Sequence, residues 1–358
     1  MKWSLSFKLI DFKKMRNSGI KYFRFFRISI NSPLFFKLLR YLVFLFLLFS
    51  GCSKLIDNDD GSCGGAVPGI YPIPPYVDPI WHPGGKFIGF NHIPLDSIIF
   101  NGCSGLQLFK KDSAGFWLID SDGKNMRRIL SYPLETPVWS PDGEWIAFVY
   151  GDQIFKMRFR EDTFDTTTLT QLTFEGRNFL PAWSPDGRWI VYRRSQAYPE
   201  HSVWGLWLMS ADGLIKYKIL SGDLPYPNWS PDGKYIIFSG WYDSINAGII
   251  RYEIATSHST VILKANGRDI RYPKYSPDGT KIAFCMDGYL WIMDSNGNNL
   301  RKLTTFKGIE VSEIPFSWSP DGSKIVYTRY RTDDWTKNNG VLWVIDINTG
   351  LEKQLTFN

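Results

Sequence analysis

"VWSPDGEWIAF", residues 138–148, has the pattern of two short strands joined by a tight turn. The order Ser140, Pro141, Asp142, Gly143 suits a type I turn followed by a left-handed residue. Proline fixes φ at the second position of such a turn, and glycine accepts a positive φ at the fourth. Aromatic and β-branched residues flank the turn on both sides, as they do in strands. The stretch therefore predicts a β-hairpin.

The same hairpin recurs along the chain at a nearly constant spacing. The serine of the turn stands at positions 140, 184, 230, 276 and 319, so the intervals are 44, 46, 46 and 43 residues. This period is typical of a four-stranded propeller blade. A sixth, eroded copy, "IWHPGGKFIGF", begins at Ile80, with His82 in place of the serine and Gly84 in place of the aspartate.

A second repeated element follows the hairpins. Its copies are "GFWLIDSDG" from Gly115, "GLWLMSADG" from Gly205, "GYLWIMDSNG" from Gly288 and "GVLWVIDINTG" from Gly340, each leading into a short outer strand. A single four-stranded sheet cannot bury both of its faces, so the units must stack around an axis. We predict an all-β fold over residues 79–358, a six-bladed β-propeller of four-stranded antiparallel blades.

The N-terminal part has the pattern of an export signal and a tether. Residues 41–49, "YLVFLFLLF", follow a basic stretch and are too few to span a bilayer comfortably, but they suit the apolar core of a signal peptide. "FSGC" resembles a bacterial lipobox, which predicts a lipoprotein signal peptide over 1–51 and lipidation of Cys52. The alternative is a non-cleaved anchor or a longer helix that starts at Leu34. Residues 52–78, rich in Gly, Pro and Asp, are expected to form a tether.

Charge argues against nucleic-acid binding. Residues 1–40 hold ten Lys and Arg and one acidic residue, so the chain from Cys52 onward has a net charge of −3. No basic block remains there to follow a phosphate backbone.

Four cysteines are present, with three expected roles among them. Cys52 is assigned to lipid, and an exported protein permits a disulfide between Cys63 and Cys103. Cys285, in the predicted strand "KIAFCM", is expected to be a small core residue.

The repeat resembles that of TolB-type propellers, on the WSPDG hairpin, the following I-A-F-like strand and the LW-x-M-D-x-x-G half. The same blade occurs in the propellers of prolyl-oligopeptidase relatives. TolB is a periplasmic six-bladed propeller behind a separate N-terminal α/β domain, and it binds envelope partners. The resemblance therefore implies a bacterial envelope protein, in a form without that N-terminal domain. The predicted lipidation of Cys52 would anchor it on the periplasmic or surface side.

Most residues of the repeat are expected to be structural. The tryptophans recur at one blade position, which indicates packing between blades, and the aspartates belong to tight turns. These residues are Trp139, Asp142, Trp183, Asp186, Trp229, Asp232, Asp278, Trp318 and Asp321.

Function is expected where the repeats differ. We define the loop face as the side of the propeller that carries the connections between second and third strands and between one blade and the next, including residues 92–114, 193–204, 239–248, 267–273 and 328–340. These loops have the arginine and aromatic composition of interface hot spots, although aromatic residues also pack within their own loops. The candidates for partner binding are Arg193, Arg194, Tyr198, Trp241, Tyr242, Arg268, Arg271, Tyr272, Arg329, Arg331 and Trp335.

Sequence support for catalysis is weak. No G-x-S-x-G nucleophile motif occurs, and the histidines at 82, 92, 201 and 258 lack metal-ligand spacing, so no cofactor or metal is expected. The pattern favours a non-enzymatic lipoprotein that docks an envelope protein or peptide. One alternative is a glycan-binding propeller that stacks sugars on Trp241, Tyr242 and Trp335. Another is a metal-dependent lyase or hydrolase that uses His92, His201 and carboxylates.

Overall fold

Six antiparallel sheets of four strands each form the protein, as the repeat predicts. The structure is a computed structural model and describes residues 75–101, 104–195, 203–241, 246–305, 315–329 and 340–357. These residues lie in the second of the two units into which the chain divides, Cys63–Asn358, and the first unit lies outside the described residues. Among the described residues, none belongs to a helix that has the length and hydropathy to cross a bilayer.

The first three blades follow one another along the chain without sharing strands. Blade 1 consists of β1 (Tyr76–Trp81), β2 (Phe87–His92), β5 (Gly115–Asp120) and β6 (Arg127–Leu130). Blade 2 consists of β7 (Glu135–Trp139), β8 (Trp145–Tyr150), β9 (Gln153–Arg160) and β10 (Thr163–Gln171). Blade 3 consists of β11 (Arg177–Trp183), β12 (Trp189–Ser195), β13 (Gly205–Ser210) and β14 (Lys216–Ser221). A separate hairpin of β3 (Leu95–Asn101) and β4 (Ser104–Phe109) is inserted in blade 1.

The other three blades repeat this arrangement. Blade 4 consists of β15 (Asn228–Trp229), β16 (Tyr235–Trp241), β17 (Ala247–Glu253) and β18 (His258–Lys264); blade 5 of β19 (Ile270–Tyr275), β20 (Lys281–Met286), β21 (Tyr289–Asp294) and β22 (Arg301–Lys302); and blade 6 of β23 (Phe316–Trp318), β24 (Lys324–Arg329), β25 (Val341–Asp346) and β26 (Glu352–Gln354). The first strand, β1, begins three residues before the expected start of the propeller at residue 79.

The repeated Ser-Pro-Asp-Gly turn is held by its own side chains. In blade 3 the amide of Gly187 donates to the carbonyl of Ser184 at 2.9 Å, and the Ser184 hydroxyl donates to Asp186 Oδ1 at 2.6 Å. The same hydroxyl oxygen accepts from the amide of Trp189 at 2.9 Å, and Asp186 Oδ1 accepts from the amide of Arg188 at 3.0 Å. The serine and the aspartate therefore satisfy the backbone of the turn, which explains why both recur.

Neighbouring turns also contact each other around the ring. A Cβ placed on Gly233 would lie 3.4 Å from Cγ of Pro185, the proline of the preceding blade's turn. The other pairs are Gly187 with Pro141, Gly279 with Pro231, Gly322 with Pro277 and, across the closure of the ring, Gly85 with Pro320. Only blade 2 differs, because its Gly143 lies against the ring of His82. We call this side of the propeller, formed by the turns between first and second and between third and fourth strands, the turn face.

The hydrophobic core is divided into six clusters, one between each pair of neighbouring blades. The repeat tryptophan of five hairpins packs into the cluster shared with the preceding blade, as Trp139 does with Ile80 and Phe116 of blade 1, and in blade 5 Tyr275 takes this place. The tryptophans thus contribute to the contacts between blades. Burying side chains of this size contributes about 2–3 kcal/mol each by area alone.

The ring closes by packing of blade 6 against blade 1. The Ser317 hydroxyl accepts from the amide of Trp81 at 3.0 Å, and the Thr328 hydroxyl donates to the carbonyl of Tyr76 at 3.0 Å. Blades 4 and 5 are joined in a similar way, since Asn228 Oδ1 accepts from the amide of Tyr275 at 3.2 Å. The interface between blades 6 and 1 therefore resembles the interfaces between blades that follow each other in the sequence.

The innermost strands carry a distortion that the sequence did not indicate. In five blades the residue before the conserved proline has a positive φ, between 44° and 60°, at Asp78, Thr136, Leu180, Tyr226 and Tyr272. A register shift accompanies it in β1, β7, β11 and β19. These bulges bend the strands at their loop-face ends, and such bends often re-aim side chains beside a binding site.

The predictions on the N-terminal part lie outside the described residues. These are the signal peptide, lipidated Cys52, the tether up to residue 74, and the pairing of Cys63 with Cys103. Cys285 is buried in β20, as the strand pattern predicted.

Candidate functional site

Ion pairs tie neighbouring loops of the loop face to each other. Arg193 Nη2 lies 2.6 Å from Asp223 Oδ1, which belongs to the connection between blades 3 and 4. Arg194 Nη2 lies 3.5 Å from Glu175 Oε2, in the connection between blades 2 and 3. The strand ends and the inter-blade connections therefore share one face, as propeller topology requires.

Arg193 and Arg194 are both partly enclosed. The guanidinium of Arg194 lies 4.7 Å from the centre of the Trp207 ring, a cation–π distance, and its side chain is mostly buried. These two candidates are thus adjacent on the loop face, but each already binds a carboxylate of the protein itself.

The blade 5 candidates form a second group. Arg271 Nε donates to Asp269 Oδ2 at 2.8 Å, and Arg268 Nε lies 3.5 Å from Asp287 Oδ2. The ring of Tyr272, in β19, lies 4.1 Å from that of Tyr226, which precedes β15, and each residue stands directly before the repeated proline of its blade. The structure therefore brings Arg268, Arg271 and Tyr272 to one sector of the loop face.

Arg329 is not a surface residue, contrary to the sequence-based expectation. It is 7 % exposed, its Nη1 donates to Glu352 Oε2 at 3.3 Å, and its guanidinium lies 4.4 Å from the Trp343 ring centre. The hydroxyl of Tyr327 donates to Glu352 Oε1 at 2.5 Å, and burial together with this carboxylate raises the pKa of Tyr327. The Glu352 carboxylate is partly withdrawn from solvent and gains from such partners, so Arg329 stabilises the interior of blade 6.

Trp241 is the most exposed of the predicted residues that the structure describes. It ends β16 and is 61 % exposed. The predicted contact residues Tyr198, Tyr242, Arg331 and Trp335 lie outside the described residues.

Three further aromatic side chains are exposed on the loop face and were not predicted. Tyr150 ends β8 and is 43 % exposed, while Phe174 and Phe357 are 70 % and 73 % exposed. Phe174 and Phe357 each follow a Gln-Leu-Thr sequence at the end of an outer strand. An alignment of these strand ends would have revealed them as a repeated feature.

The residue before each phenylalanine explains why its ring faces solvent. The Thr173 hydroxyl accepts from the amide of Ile154 at 2.8 Å, and the Thr356 hydroxyl accepts from the amide of Leu342 at 2.9 Å. The threonines turn inward and are buried. The next side chain, Phe174 or Phe357, therefore projects outward from the blade.

The two faces of the propeller expose different kinds of apolar residue. On the loop face the large exposed apolar side chains of the described residues are aromatic: Tyr150, Phe174, Trp241 and Phe357. On the turn face they are aliphatic, at the turns between third and fourth strands: Met126, Leu214, Ile215, Leu300 and Leu351. Rigid aromatic side chains lose little conformational entropy on binding, which favours the loop face as the contact surface.

Two titratable groups of the innermost strands, Glu135 and Lys274, have shifted pKa values. Burial raises the pKa of Glu135 in blade 2, and the nearby carboxylates of Asp152 and Asp78 raise it further. In blade 5, burial lowers the pKa of Lys274 to about 8, and its Nζ donates to the carbonyl of Phe316 at 2.6 Å. The acidic groups thus lie on blades 1 and 2, and the amine lies on blade 5.

The histidines that the structure describes have no common site. His82 packs 4.5 Å from the Phe87 ring and 5.0 Å from Trp139, while His92 packs 4.5 Å from Tyr76. His258 is exposed in β18, and His201 lies outside the described residues. Within the described ranges, no three His, Cys, Asp or Glu residues are grouped so that they could hold a metal ion.

A family model described as the TolB beta propeller domain matches residues 189–358. The propeller is similar to that domain in this part of the chain. The crystal structure of TolB from Acinetobacter baumannii has a TM-score of 0.56 and 23 % identity, over 75 % of this chain and 62 % of that one. This chain thus spans 62 % of that relative's length.

A putative TolB from Agrobacterium tumefaciens has a TM-score of 0.53 and 21 % identity, over 65 % of this chain and 84 % of that one. These identities show that the fold of the TolB-like propeller is shared. An oligogalacturonate lyase from Vibrio parahaemolyticus has a TM-score of 0.48 and 10 % identity, over 83 % and 96 % of the two chains, which is too distant to bear on function. The sequence has no match among curated proteins.

Proposed function

We propose that this TolB-like propeller is a non-enzymatic docking platform of the bacterial envelope, and that its loop face binds a protein or peptide partner. The observation that carries the proposal is the exposure of Tyr150, Phe174, Trp241 and Phe357 on one face. Exposed aromatic residues beside arginines are the composition of binding hot spots.

The ion pairs of the loop face fit a rigid platform. Arg193, Arg268 and Arg271 are held by neighbouring carboxylates, so their positions are fixed before a partner arrives. Pre-organised side chains lose less entropy on binding. Because these charges are already balanced locally, the partner is expected to be held mainly by aromatic contacts, and binding is expected to depend weakly on salt.

The proposed lipid anchor suits this arrangement. Tyr76 pairs with His92 at the loop-face end of blade 1, so the chain enters the propeller on the loop face. If Cys52 carries lipid, the intervening segment reaches at most about 80 Å when fully extended. We therefore propose that the platform works close to a membrane, where an envelope partner is within reach.

Photo-crosslinking tests the docking surface directly. A benzophenone amino acid replaces Phe174 or Phe357 on the loop face, and Leu351 on the turn face serves as the matched control because it is similarly exposed. The full chain is expressed in the bacterium and irradiated in intact cells. We expect a protein adduct from the loop-face positions and none from residue 351. Equal adducts from both faces, or lipid adducts alone, would contradict the proposal.

A glycan-binding function is the second candidate, and the exposed ring of Trp241 is the observation that favours it. Flat aromatic rings stack on the apolar faces of sugars. Sedimentation with purified peptidoglycan separates the two functions. If the wild type sediments and the Trp241→Ala variant does not, while no protein adduct forms at Phe174, the glycan reading replaces protein docking.

A further inference from the structure

The second strands of blades 3 and 6 share a tyrosine that is followed two residues later by an arginine. The pair is Tyr192 and Arg194 in β12, and Tyr327 and Arg329 in β24. The second strands of the other four blades have phenylalanine at the tyrosine position: Phe90, Phe148, Phe238 and Phe284. Because phenylalanine fills this core position in four blades, the fold itself does not require the hydroxyl.

In blade 6 a carboxylate lies between the tyrosine and the arginine. Glu352, on the outer strand β26, accepts from the hydroxyl of Tyr327 at 2.5 Å and from Nη1 of Arg329 at 3.3 Å. The guanidinium of Arg329 also lies 4.4 Å from the centre of the Trp343 ring. One carboxylate of the protein therefore satisfies both donors.

Blade 3 has the same donors but a lysine in place of the glutamate. Lys216 of β14 and Glu352 of β26 hold the same register position in their sheets. The guanidinium of Arg194 lies 4.7 Å from the centre of the Trp207 ring, which repeats the stacking seen in blade 6. The two blades therefore differ in the residue that supplies the acceptor.

The donors of blade 3 are buried and lack an acceptor. Tyr192 is fully buried, and neither its hydroxyl nor Nε of Arg194 has a hydrogen-bond partner among the described residues. Glu175 Oε2 lies 3.5 Å from Nη2 of Arg194, but the Glu175 side chain is 85 % exposed, so it does not take the interior position of Glu352. Buried polar groups of native proteins nearly always have partners, so these donors indicate a ligand that accepts hydrogen bonds.

The charges around the Tyr192 hydroxyl favour an anion. Burial lowers the pKa of Lys216, and the charge of Arg194 lowers it further, so the two cations lie close together. Burial raises the pKa of Tyr192 to about 12, and the neighbouring Arg194 opposes this shift. Asp212 also acts on Lys216, but its carboxylate accepts hydrogen bonds within its own turn. Two neighbouring cations beside an unpaired hydroxyl attract negative charge.

We propose that Tyr192, Arg194 and Lys216 form a binding site for a carboxylate on the side of blade 3 that packs against blade 2. The bound carboxylate takes the place that Glu352 has in blade 6, where it accepts from the tyrosine hydroxyl and the arginine. Lys216 balances its charge. Because β14 is the outer strand of its sheet and Lys216 is half-buried, the ligand enters from the perimeter beside this lysine. The carboxylate belongs to a free small acid or to an acidic side chain of a protein.

Acetate tests the site without any partner protein, so the measurement does not depend on the proposed docking function. Urea unfolding of the full chain is compared in sodium acetate and in sodium chloride at the same pH and ionic strength. We expect acetate to increase the equilibrium constant for folding about 10-fold when its concentration reaches ten times its dissociation constant. Equal stability in the two salts would overturn the proposal.

A matched pair of variants compares the two blades. Tyr192→Phe should keep its stability in chloride, because the lost hydroxyl has no partner there, and should respond several-fold less to acetate. Tyr327→Phe should lose stability in chloride, because Glu352 loses a donor, and should keep the full response to acetate. If both variants respond to acetate as the wild type does, the site is not at Tyr192.

Substitution of Lys216 supplies the carboxylate from the protein itself. Lys216→Glu gives blade 3 the arrangement of blade 6, so we expect higher stability in chloride and no response to acetate. Lys216→Gln removes the charge without supplying a carboxylate, and it should weaken the acetate response without raising stability. A Lys216→Glu variant that keeps the whole acetate response would contradict the assignment.

Crosslinking then identifies the natural source of the carboxylate. Phe174 precedes Glu175 beside the site, whereas Phe357 belongs to blade 6. If a docked protein supplies the carboxylate, Lys216→Glu should abolish the benzophenone adduct at residue 174 and keep the adduct at residue 357. Acetate binding with both adducts unchanged assigns the site to a free small acid. If acetate does not bind to the wild type while the adducts form, this proposal fails and the docking function stands.

Discussion

Replacing Gly143 by alanine would destabilise the fold in two ways: the alanine backbone would be strained, and its methyl group would clash with His82. A comparison with a second glycine separates these two contributions to the free energy of unfolding. Gly143 and Gly187 occupy the same turn position with φ of 72° and 70°. An alanine in this left-handed region costs about 1–2 kcal/mol at either site. The neighbours differ, because a Cβ on Gly143 would lie 2.5 Å from His82 Nε2, whereas a Cβ on Gly187 would lie 3.9 Å from Pro141 Cδ.

His82 has little freedom to move away from an added methyl group. Its ring lies 4.5 Å from Phe87 and 5.0 Å from Trp139, and its Nε2 is 3.2 Å from the Gly143 carbonyl oxygen. Forcing extra volume into a packed site costs about 1–3 kcal/mol. We therefore expect Gly143→Ala to lower the free energy of unfolding by about 2–5 kcal/mol, and Gly187→Ala by about 1–2 kcal/mol.

Urea unfolding, followed by both circular dichroism and tryptophan fluorescence, measures the two losses. Coincident transitions and an unchanged slope are required before midpoints are compared. His82→Ser, which restores the residue found in the other blades, is the background that identifies the cause. In the His82→Ser background, Gly143→Ala should lower the free energy of unfolding by no more than Gly187→Ala does. Equal losses in the wild-type background, or a difference that survives His82→Ser, would refute the reasoning.

Three further outcomes follow from single contacts. The hydrogen bond from Ser184 lowers the pKa of Asp186 to about 2, so its stabilisation is present above pH 4 and is lost as pH falls towards 2. Asp186→Asn should cost about 1 kcal/mol at pH 7 after allowance for solvent screening, and should cost nothing near pH 2; a loss independent of pH in unfolding titrations would contradict this. Thr328→Val leaves the buried carbonyl of Tyr76 without its donor at the ring closure and should lower the unfolding free energy by about 1–3 kcal/mol in urea, unless another group replaces the hydroxyl. Because burial lowers the pKa of Lys274 from 10.5 to about 8, the unfolded chain binds a proton that the folded chain lacks between these values. The stability of the wild type should therefore rise with pH between about 8 and 10.5 relative to that of Lys274→Met, as measured by thermal unfolding of both proteins. If the two stability profiles run parallel over this range, the lowered pKa of Lys274 is wrong.

The blades could be predicted from the sequence because their signals are local. The turn at Ser140–Gly143 and the tryptophan before it lie within one hairpin, and repetition of the hairpin shows how many blades there are. The family resemblance and the six-bladed fold are confirmed for this reason. The positive φ before the repeated proline in five blades was not predicted, because a residue in that position usually favours an extended conformation.

The candidate site was harder to predict, because exposure depends on partners distant in the chain. Arg329 stands in a loop-like sequence, but its partner Glu352 is 23 residues away on another strand. Phe174 stands next to an outer strand and has the composition of a core residue, yet Thr173 occupies the interior position. Composition favoured the loop face, which stays a prediction, whereas individual side-chain directions required the strand pairings.

The contiguity of the blades also has a consequence for how the chain folds during synthesis. Every pairing within a blade joins strands close in sequence, so each sheet can form as soon as its own segment has left the ribosome. One surface has to wait. Trp81, Ile88 and Phe90 of blade 1 are covered by Val326 and Leu342 of blade 6, so their burial comes last. Until blade 6 has formed, the nascent protein exposes the apolar face of blade 1, which is prone to aggregation. A chaperone that recognises exposed apolar surfaces is expected to bind at that stage, before the ring closes.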